Sequence, residues 1–154
     1  MRANIGIPDQ HTQAVTNILN QLLADEYVLY TKTRNYHWNV TGMSFHELHK
    51  FFEEQYKIID DVIDDIAERT RAIGHHPIAI LRGILKLTSL TEDEPMPDAR
   101  QMLINLLNDH ETIIKFIRRN IDPIQNQHKD AGSADFLTGL IEIHEKMAWM
   151  LRAF

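Results

Sequence analysis

The chain has 154 residues, enough for one domain with a sizeable core, and its 44% hydrophobic and 25% charged residues are ordinary for a globular protein. Because it has no cysteine, disulfides, thiolate nucleophiles and thiolate metal sites are excluded, and the net charge of −6 disfavours nucleic acid as a partner. No apolar run reaches the length of a membrane span, and no secretory h-region opens the chain. We therefore expect a single cytoplasmic domain over residues 1–154.

The first half of the chain contains two long segments with apolar residues at helical spacing. In the first, Asp9 or Thr12 is a candidate N-cap, and the apolar stripe is Ile18, Leu19, Leu22, Leu23 and Tyr27. Gly42 separates it from a second predicted helix, which runs from about Phe45 to Ala72 and stops before Gly74 and Pro77. Ser44 is the expected N-cap of this helix, with Glu47 completing a capping box.

The second half of the chain predicts a short helix and two more long helices. The short one covers about Ile78 to Leu87, and the third long helix opens at Pro97-Asp98. Ser133 is expected to open the fourth. Strand-like alternation is absent. The pattern predicts an all-α fold, a four-helix bundle with a short extra helix in the connection between helices 2 and 3.

One face of the second predicted helix carries metal-ligand side chains. His49, Glu53, Asp64 and Glu68 fall within an arc of roughly 100° on that face. Imidazole and carboxylate groups suit iron, manganese or zinc. The alternative is an ordinary solvated stripe, which is how we interpret His46, since it lies off the arc.

The length of this helix raises a geometric problem. His49 and Glu68 are separated by roughly 28 Å at 1.5 Å per residue, whereas paired metal ions lie about 3.5–4 Å apart. The two residues are equally far from the midpoint between Ile58 and Ile59, and so are Glu53 and Asp64. A two-fold axis at that midpoint would bring an antiparallel copy alongside and complete two identical sites.

Three further residues enter this hypothesis. His37 ends the first helix and can fold back across the Gly42 loop toward His49 and Glu53, which makes it a further candidate ligand. Lys57 and Asp60 obey the same midpoint symmetry, so we expect them to approach each other across the axis.

At this point the sequence resembles a known family. The stretches YHWNVTGMSFHELHKFFEE, DDVIDDIAERTRAIGHHP and HEKMAWMLRA resemble the Dps family, the mini-ferritins known as DNA-binding proteins from starved cells. The resemblance covers nearly the whole chain. It implies ferroxidase ligands shared between two subunits: His37, His49 and Glu53 from one chain, with Asp64 and Glu68 from its partner. Many members have aspartate where this chain has Glu53.

The resemblance also implies an activity and an assembly. These are Fe(II) oxidation, preferably by hydrogen peroxide, at sites for two iron ions, and storage of ferric mineral inside a hollow dodecamer built from two-fold dimers. The implied outcome is protection against oxidative damage. Zinc is a substitute metal for the same ligands. Trp38 is a candidate electron donor near the site, with a packing anchor as the alternative.

Other acidic residues have weaker assignments. Asp135, and less so Asp130, are candidates for a carboxylate ring at a three-fold pore, although Asp135 would also favour a helix N-terminus. Glu54, Asp61 and Asp65 form a neighbouring acidic stripe that would seed mineral on the cavity wall, or would simply be solvated.

Direct DNA binding is expected to be weak or absent, because the chain is acidic and Arg2 is the only basic residue before the first helix. Association with the nucleoid stays open. Three alternatives remain: a structural nucleoid protein with an inert acidic stripe, a zinc-binding assembly, and a di-iron protein with its site inside one bundle. The last usually needs Glu-x-x-His motifs on two helices, and this sequence has none at a suitable place.

Overall fold

The computed structural model describes residues 3–154, in which the backbone is helical without a strand. Arg2 lies outside these residues. The helices are α1 (Asp9–Asn39), α2 (Phe45–Ala72), α3 (Leu81–Leu87), α4 (Ala99–Asp122) and α5 (Ala131–Arg152), with a π-helical turn at Pro123–Gln127. Four long helices and one short connecting helix confirm the predicted all-α fold. No helix of the described part is long and apolar enough to cross a membrane.

The long helices form two hairpins that share one core. α1 packs along α2, α4 packs along α5, and α3 lies against α1. The core is lined from all four long helices by side chains of 0% exposure, among them Leu19, Leu22, Phe52, Ile59, Leu106, Ile113 and Leu137. Burial of such side chains supplies most of the stability of a bundle, about 1.5–3 kcal/mol for each large one.

The start of α2 matches the prediction, but its capping does not. Ser44 occupies the N-cap position, yet its side chain accepts no hydrogen bond, so the predicted capping box with Glu47 is wrong. The physical reason is the backbone of Ser44, whose φ of −94° and ψ of 23° depart from the extended conformation that aims an N-cap side chain at the helix. At α1, Pro8 occupies the N-cap position, so neither predicted cap holds, and the hydroxyl of Thr12 donates instead to the carbonyl of Asp9.

The N-termini of α4 and α5 are both capped by aspartate. Asp98 accepts a hydrogen bond from the backbone N–H of Gln101 at 2.8 Å, which confirms the predicted start of α4. The prediction that Ser133 opens the last helix is wrong, because Asp130 is the N-cap and accepts from the N–H of Ser133 at 2.9 Å. Arg69 of α2 also donates to Asp130, at 3.1 Å, and so ties the start of α5 to α2.

The connection between α2 and α4 is held by buried charges on α1. α3 is shorter than predicted, since it begins at Leu81 rather than near Ile78. In the residues after α3, the N–H of Ser89 and the hydroxyl of Thr88 donate hydrogen bonds to Asp25 of α1, at 2.6 Å and 2.8 Å. These bonds hold the crossover against α1.

Candidate metal centre

The end of α1 and the start of α2 bring two histidines together. The rings of His37 and His49 are stacked, with centroids 3.9 Å apart and planes inclined by 18°. A five-residue connection, 40–44, makes this contact, and Gly42 within it has a φ of +110° that favours glycine. The fold-back predicted for His37 is therefore present in the structure.

Each histidine is hydrogen-bonded to the backbone of the other. Nδ1 of His37 lies 2.7 Å from the carbonyl oxygen of His49, and Nδ1 of His49 lies 2.8 Å from the carbonyl oxygen of His37. A carbonyl only accepts, so each Nδ1 carries the proton and donates it. In the neutral imidazole, Nε2 is then left with its lone pair, which is the arrangement that metal-binding histidines usually have.

Aromatic side chains pack against this histidine pair. Phe45 stacks on His49 with centroids 5.2 Å apart, and the edge of Tyr56 meets His37 at 5.4 Å. These contacts hold both rings at a fixed angle. The sequence reasoning missed Tyr56, although its position two helical turns after His49 places it near the same face of α2.

Glu53 lies one turn after His49 and is paired with lysine. Its Oε1 accepts from Lys57 at 2.7 Å, and its Oε2 is 3.8 Å from Lys50. The hydrogen bond from Lys57, followed by the positive charge of Lys57, lowers the pKa of Glu53. The carboxylate is therefore ionised and ready to bind a cation, but Lys57 occupies one of its oxygens. The approach of Lys57 and Asp60 across an axis stays a prediction.

The remaining proposed ligands lie farther along α2. Asp64 and Glu68 are exposed on the outer face of the helix, and Asp64 lines a surface depression of about 370 Å³ together with Asp60 and Asp61. The unbroken helix keeps His49 and Glu68 roughly 28 Å apart. One chain thus brings His37 and His49 together, with Glu53 one helical turn after His49, and leaves Asp64 and Glu68 farther along α2. Among residues 3–154 of one chain, no three histidine, aspartate or glutamate side chains form a group that could hold a metal ion.

The structure also places the residues with other predicted roles. The indole of Trp38 is 62% exposed, and the guanidinium of Arg34 lies 5.0 Å from its ring, so Trp38 is not a core residue of the single chain. Asp130 is 2% exposed and is committed to Arg69 and the α5 N-terminus, whereas Asp135 is exposed. The predicted acidic stripe of Glu54, Asp61 and Asp65 is exposed along α2.

The similarity of this chain to known proteins extends over nearly its whole length. The family described as the ferritin-like domain matches residues 16–154. A low temperature-induced protein of Nostoc sp. is 47% identical over 154 residues, covering 99% of this chain and 86% of that protein. DNA protection during starvation protein 2 of Bacillus anthracis is 39% identical over 140 residues, 91% of this chain and 95% of that one. A crystal structure from Vibrio cholerae O1, described as a Dps protein and a ferritin-like diiron-carboxylate protein, superposes with a TM-score of 0.92 at 32% identity, covering 99% of this chain and 96% of that chain.

Proposed function

This chain belongs to the Dps family of ferritin-like proteins, and from that premise we propose that it is a ferroxidase and iron-storage protein. It would oxidise Fe(II), preferably with hydrogen peroxide, at dinuclear sites that two subunits share. The observation that carries this proposal is the histidine pair, in which both Nδ1 atoms are engaged by carbonyls and both Nε2 atoms are free to bind a metal.

The donor set fits iron. Imidazole nitrogen and carboxylate oxygen bind both Fe(II) and Fe(III), and no thiolate is present to favour softer metals. Zinc accepts the same donors, so zinc occupying the site would not by itself identify the working metal. Iron is the substrate here, since it enters as Fe(II) and leaves as ferric mineral.

The proposal assigns the two groups of ligands to different chains. One subunit would supply His37, His49 and Glu53, and its neighbour would supply Asp64 and Glu68. A two-fold axis midway between Ile58 and Ile59 would place these residues of the two chains opposite one another. Exposed apolar residues support self-association: the exposed fractions of Ile80, Leu81 and Leu85 are 73%, 72% and 57%. A soluble chain with such side chains at its surface is expected to cover them with another subunit.

Two irons at one site suit peroxide chemistry. Each Fe(II) gives one electron, the O–O bond of peroxide breaks, and two hydroxide ions form without release of a hydroxyl radical. The chain's own part is to hold the irons side by side with few ligands, so that positions stay open for the oxidant. Lys57 would move away from Glu53 when iron binds, because both compete for the same carboxylate oxygens.

Storage would follow inside a closed shell, for which we propose the dodecamer of the family. Asp135 is the better candidate for the iron-entry pore, because it is exposed while Asp130 is bonded to Arg69. Glu54, Asp61 and Asp65 would bind ferric ions on the inner wall. Trp38 stays the proposed one-electron donor that would intercept stray oxidant beside His37.

The proposed function includes protection of DNA, but without direct binding of the protein to DNA. The name of the Bacillus anthracis relative refers to DNA protection. Removing Fe(II) and peroxide removes the reagents that form hydroxyl radicals, so protection needs no protein–DNA contact. With a charge of −6 on each chain, we expect no tight DNA complex in a gel shift at low salt near neutral pH.

The decisive experiment mixes two inactive variants. His49→Ala removes a ligand from one half-site, and Asp64→Asn removes one from the other. In a mixed dimer, one site receives both substitutions and the other receives none. Random co-assembly of the two variants from unfolded chains should therefore restore peroxide-driven Fe(II) oxidation at about a quarter of the sites. Ferric absorbance after equal additions of Fe(II) and peroxide measures it.

The matched control mixes His37→Ala with His49→Ala. These substitutions affect the same half-site, so every site in the mixture stays defective and no activity returns. Failure of the first mixture to recover activity, with both variants assembled, would show that the ligands come from one chain. Ferric absorbance in the wild type and in each single variant no faster than without protein would instead favour the nucleoid protein without ferroxidase activity.

A further inference from the structure

Three titratable side chains that the iron site does not use are fully buried in the middle of the bundle. Glu26 of α1, His110 of α4 and His144 of α5 each have an exposed fraction of 0%. They come from three different helices and belong to both hairpins. An ionisable group is expensive to bury unless another group compensates it, so this layer of the core needs an explanation.

These side chains form a short chain with His144 in its centre. Nε2 of His144 lies 2.9 Å from Oε1 of Glu26, a distance typical of an ion pair, although neither atom makes a hydrogen bond of normal geometry. Nδ1 of His144 lies 2.9 Å from Nδ1 of His110. The other oxygen of Glu26 and Nε2 of His110 have no hydrogen-bond partner among residues 3–154.

The two short distances set limits on where protons can be. Two facing Nδ1 atoms hold one proton between them, since two protons or two lone pairs would repel. A buried carboxylate beside an imidazole is compensated when that imidazole is protonated. Both conditions are met when Glu26 is ionised, His144 carries a proton on each nitrogen, and His110 is neutral with its lone pair on Nδ1.

Among residues 3–154, His144 is the charged group that acts on His110, and no other is placed to compensate a second buried charge there. α2 contributes the amide of Gln55, which donates to the carbonyl of Met147 and is uncharged. Lys32 of α1 is engaged by Asp109 at 2.7 Å. On the outer sides of α4 and α5, two arginine–glutamate pairs are exposed: Arg152 with Glu111 and Arg118 with Glu145.

We propose that Glu26, His144 and His110 form a proton-controlled clasp that joins α1, α5 and α4. With His110 neutral, the clasp ties α1 to α5 and α5 to α4 across the bundle. A second proton, on His110, places two imidazolium groups within hydrogen-bond distance in the dry core. That repulsion loosens the contact between α4 and α5, while the α1–α2 contacts that bear the iron ligands stay in place. This proposal does not depend on the proposed function.

The sign of the pH effect follows from burial. Burial, and then the charge of His144, lowers the pKa of His110 well below its usual range. Unfolding returns this group to a pKa of about 6.5, so below that pH the unfolded or opened form binds one proton more than the closed form. The ratio of closed to open molecules therefore falls by up to about tenfold for each pH unit below about 6.5.

The test is amide hydrogen exchange on the assembled protein at about pH 6.5 and about pH 5.0, followed by mass spectrometry and corrected for the intrinsic exchange rate. In the wild type, we expect acid to reduce protection by up to about tenfold at amides near His110 and His144, and much less in the α2 segment near His49. His110→Gln keeps an acceptor for His144 and cannot take the second proton. It should lose this acid-induced difference.

His46→Gln is the matched control, because it makes the same change at an exposed histidine. It should retain the wild-type acid effect. Protection of α4 and α5 in the wild type that does not change with pH would overturn the proposal without any variant. An acid effect in His110→Gln equal to that of the wild type would overturn it as well.

Discussion

At the scale of single residues, metal binding at the site depends on which ligand atoms are already hydrogen-bonded to other groups of the protein. The sequence predicted His37, His49 and Glu53 as a group of ligands. The structure brings the rings of His37 and His49 together, and the place of Glu53 in this group stays a prediction. The sequence could not predict the reciprocal bonds to the carbonyls, which depend on the path of residues 40–44. It also missed the bond from Lys57 to Glu53, although a Glu–Lys pair four residues apart on a helix is a recognisable signal.

The Lys57 bond gives a prediction about metal affinity. Lys57→Gln should bind Fe(II), or Co(II) as a spectroscopic probe, a few fold more tightly, because the metal no longer competes with the ammonium group for Glu53. Loss of the hydrogen bond should also raise the pKa of Glu53 toward its ordinary value. Equilibrium titration of the assembled protein measures the affinity.

Lys50→Gln is the control for this prediction. The Lys50 nitrogen lies 3.8 Å from Glu53, so its loss should have a smaller effect. Weaker binding in Lys57→Gln than in the wild type would show that Lys57 supports the site rather than competes for it.

At the scale of helices, apolar periodicity and Pro or Gly breaks predicted where helices lie, and side-chain caps mark the starts of α4 and α5. The bounds of α2 were predicted correctly because Gly42 and Gly74 both have positive φ and end helical structure. The predicted start of α5 was wrong because serine and aspartate are both good caps, and Arg69 contacts both Asp130 and Ser133 in the structure. The π-helical turn at Pro123–Gln127 carries no sequence signal that we recognise.

The two aspartate caps give a prediction about stability. Asp130→Ala should lower the free energy of unfolding by about 2–4 kcal/mol, since it removes a cap and leaves Arg69 without its buried carboxylate partner, with only the hydroxyl of Ser133 remaining. Asp98→Ala removes an exposed cap alone and should cost about 1 kcal/mol. Denaturant unfolding followed by circular dichroism compares the two. Equal losses would mean that the Arg69 bond contributes nothing to stability.

At the scale of the whole molecule, the single chain exposes large apolar side chains among residues 3–154. Ile80, Leu81 and Leu85 near α3 form one group, and Met43, Ile104, Trp149 and Phe154 line two depressions that share Phe154. The sequence predicted self-association from the symmetric spacing on α2. It could not show these surfaces, because hydrophobic residues at helical spacing look the same whether they face a core or a partner. The buried polar layer had a signal that was missed: Glu26, His110 and His144 each interrupt an apolar stripe.

The α3 surface gives a prediction about assembly. Leu81→Asp should shift the protein to smaller species in analytical ultracentrifugation, because a carboxylate would have to be buried in the interface. Iron oxidation per chain should fall with it, since shared sites are lost. Thr112→Asp, on an exposed position of α4, is the matched control and should assemble normally. A Leu81→Asp protein that sediments like the wild type would show that α3 lies outside the interface.

The reciprocal histidine bonds have one more consequence. Each imidazole is anchored to peptide oxygen rather than to the neighbouring side chain, so replacing either residue leaves the anchor of the other intact. Either imidazole can therefore be replaced while the other keeps its orientation. If one imidazole is replaced by another donor group, the remaining histidine stays oriented for metal binding. Metal preference can therefore be changed by substitution at His37 or His49 alone.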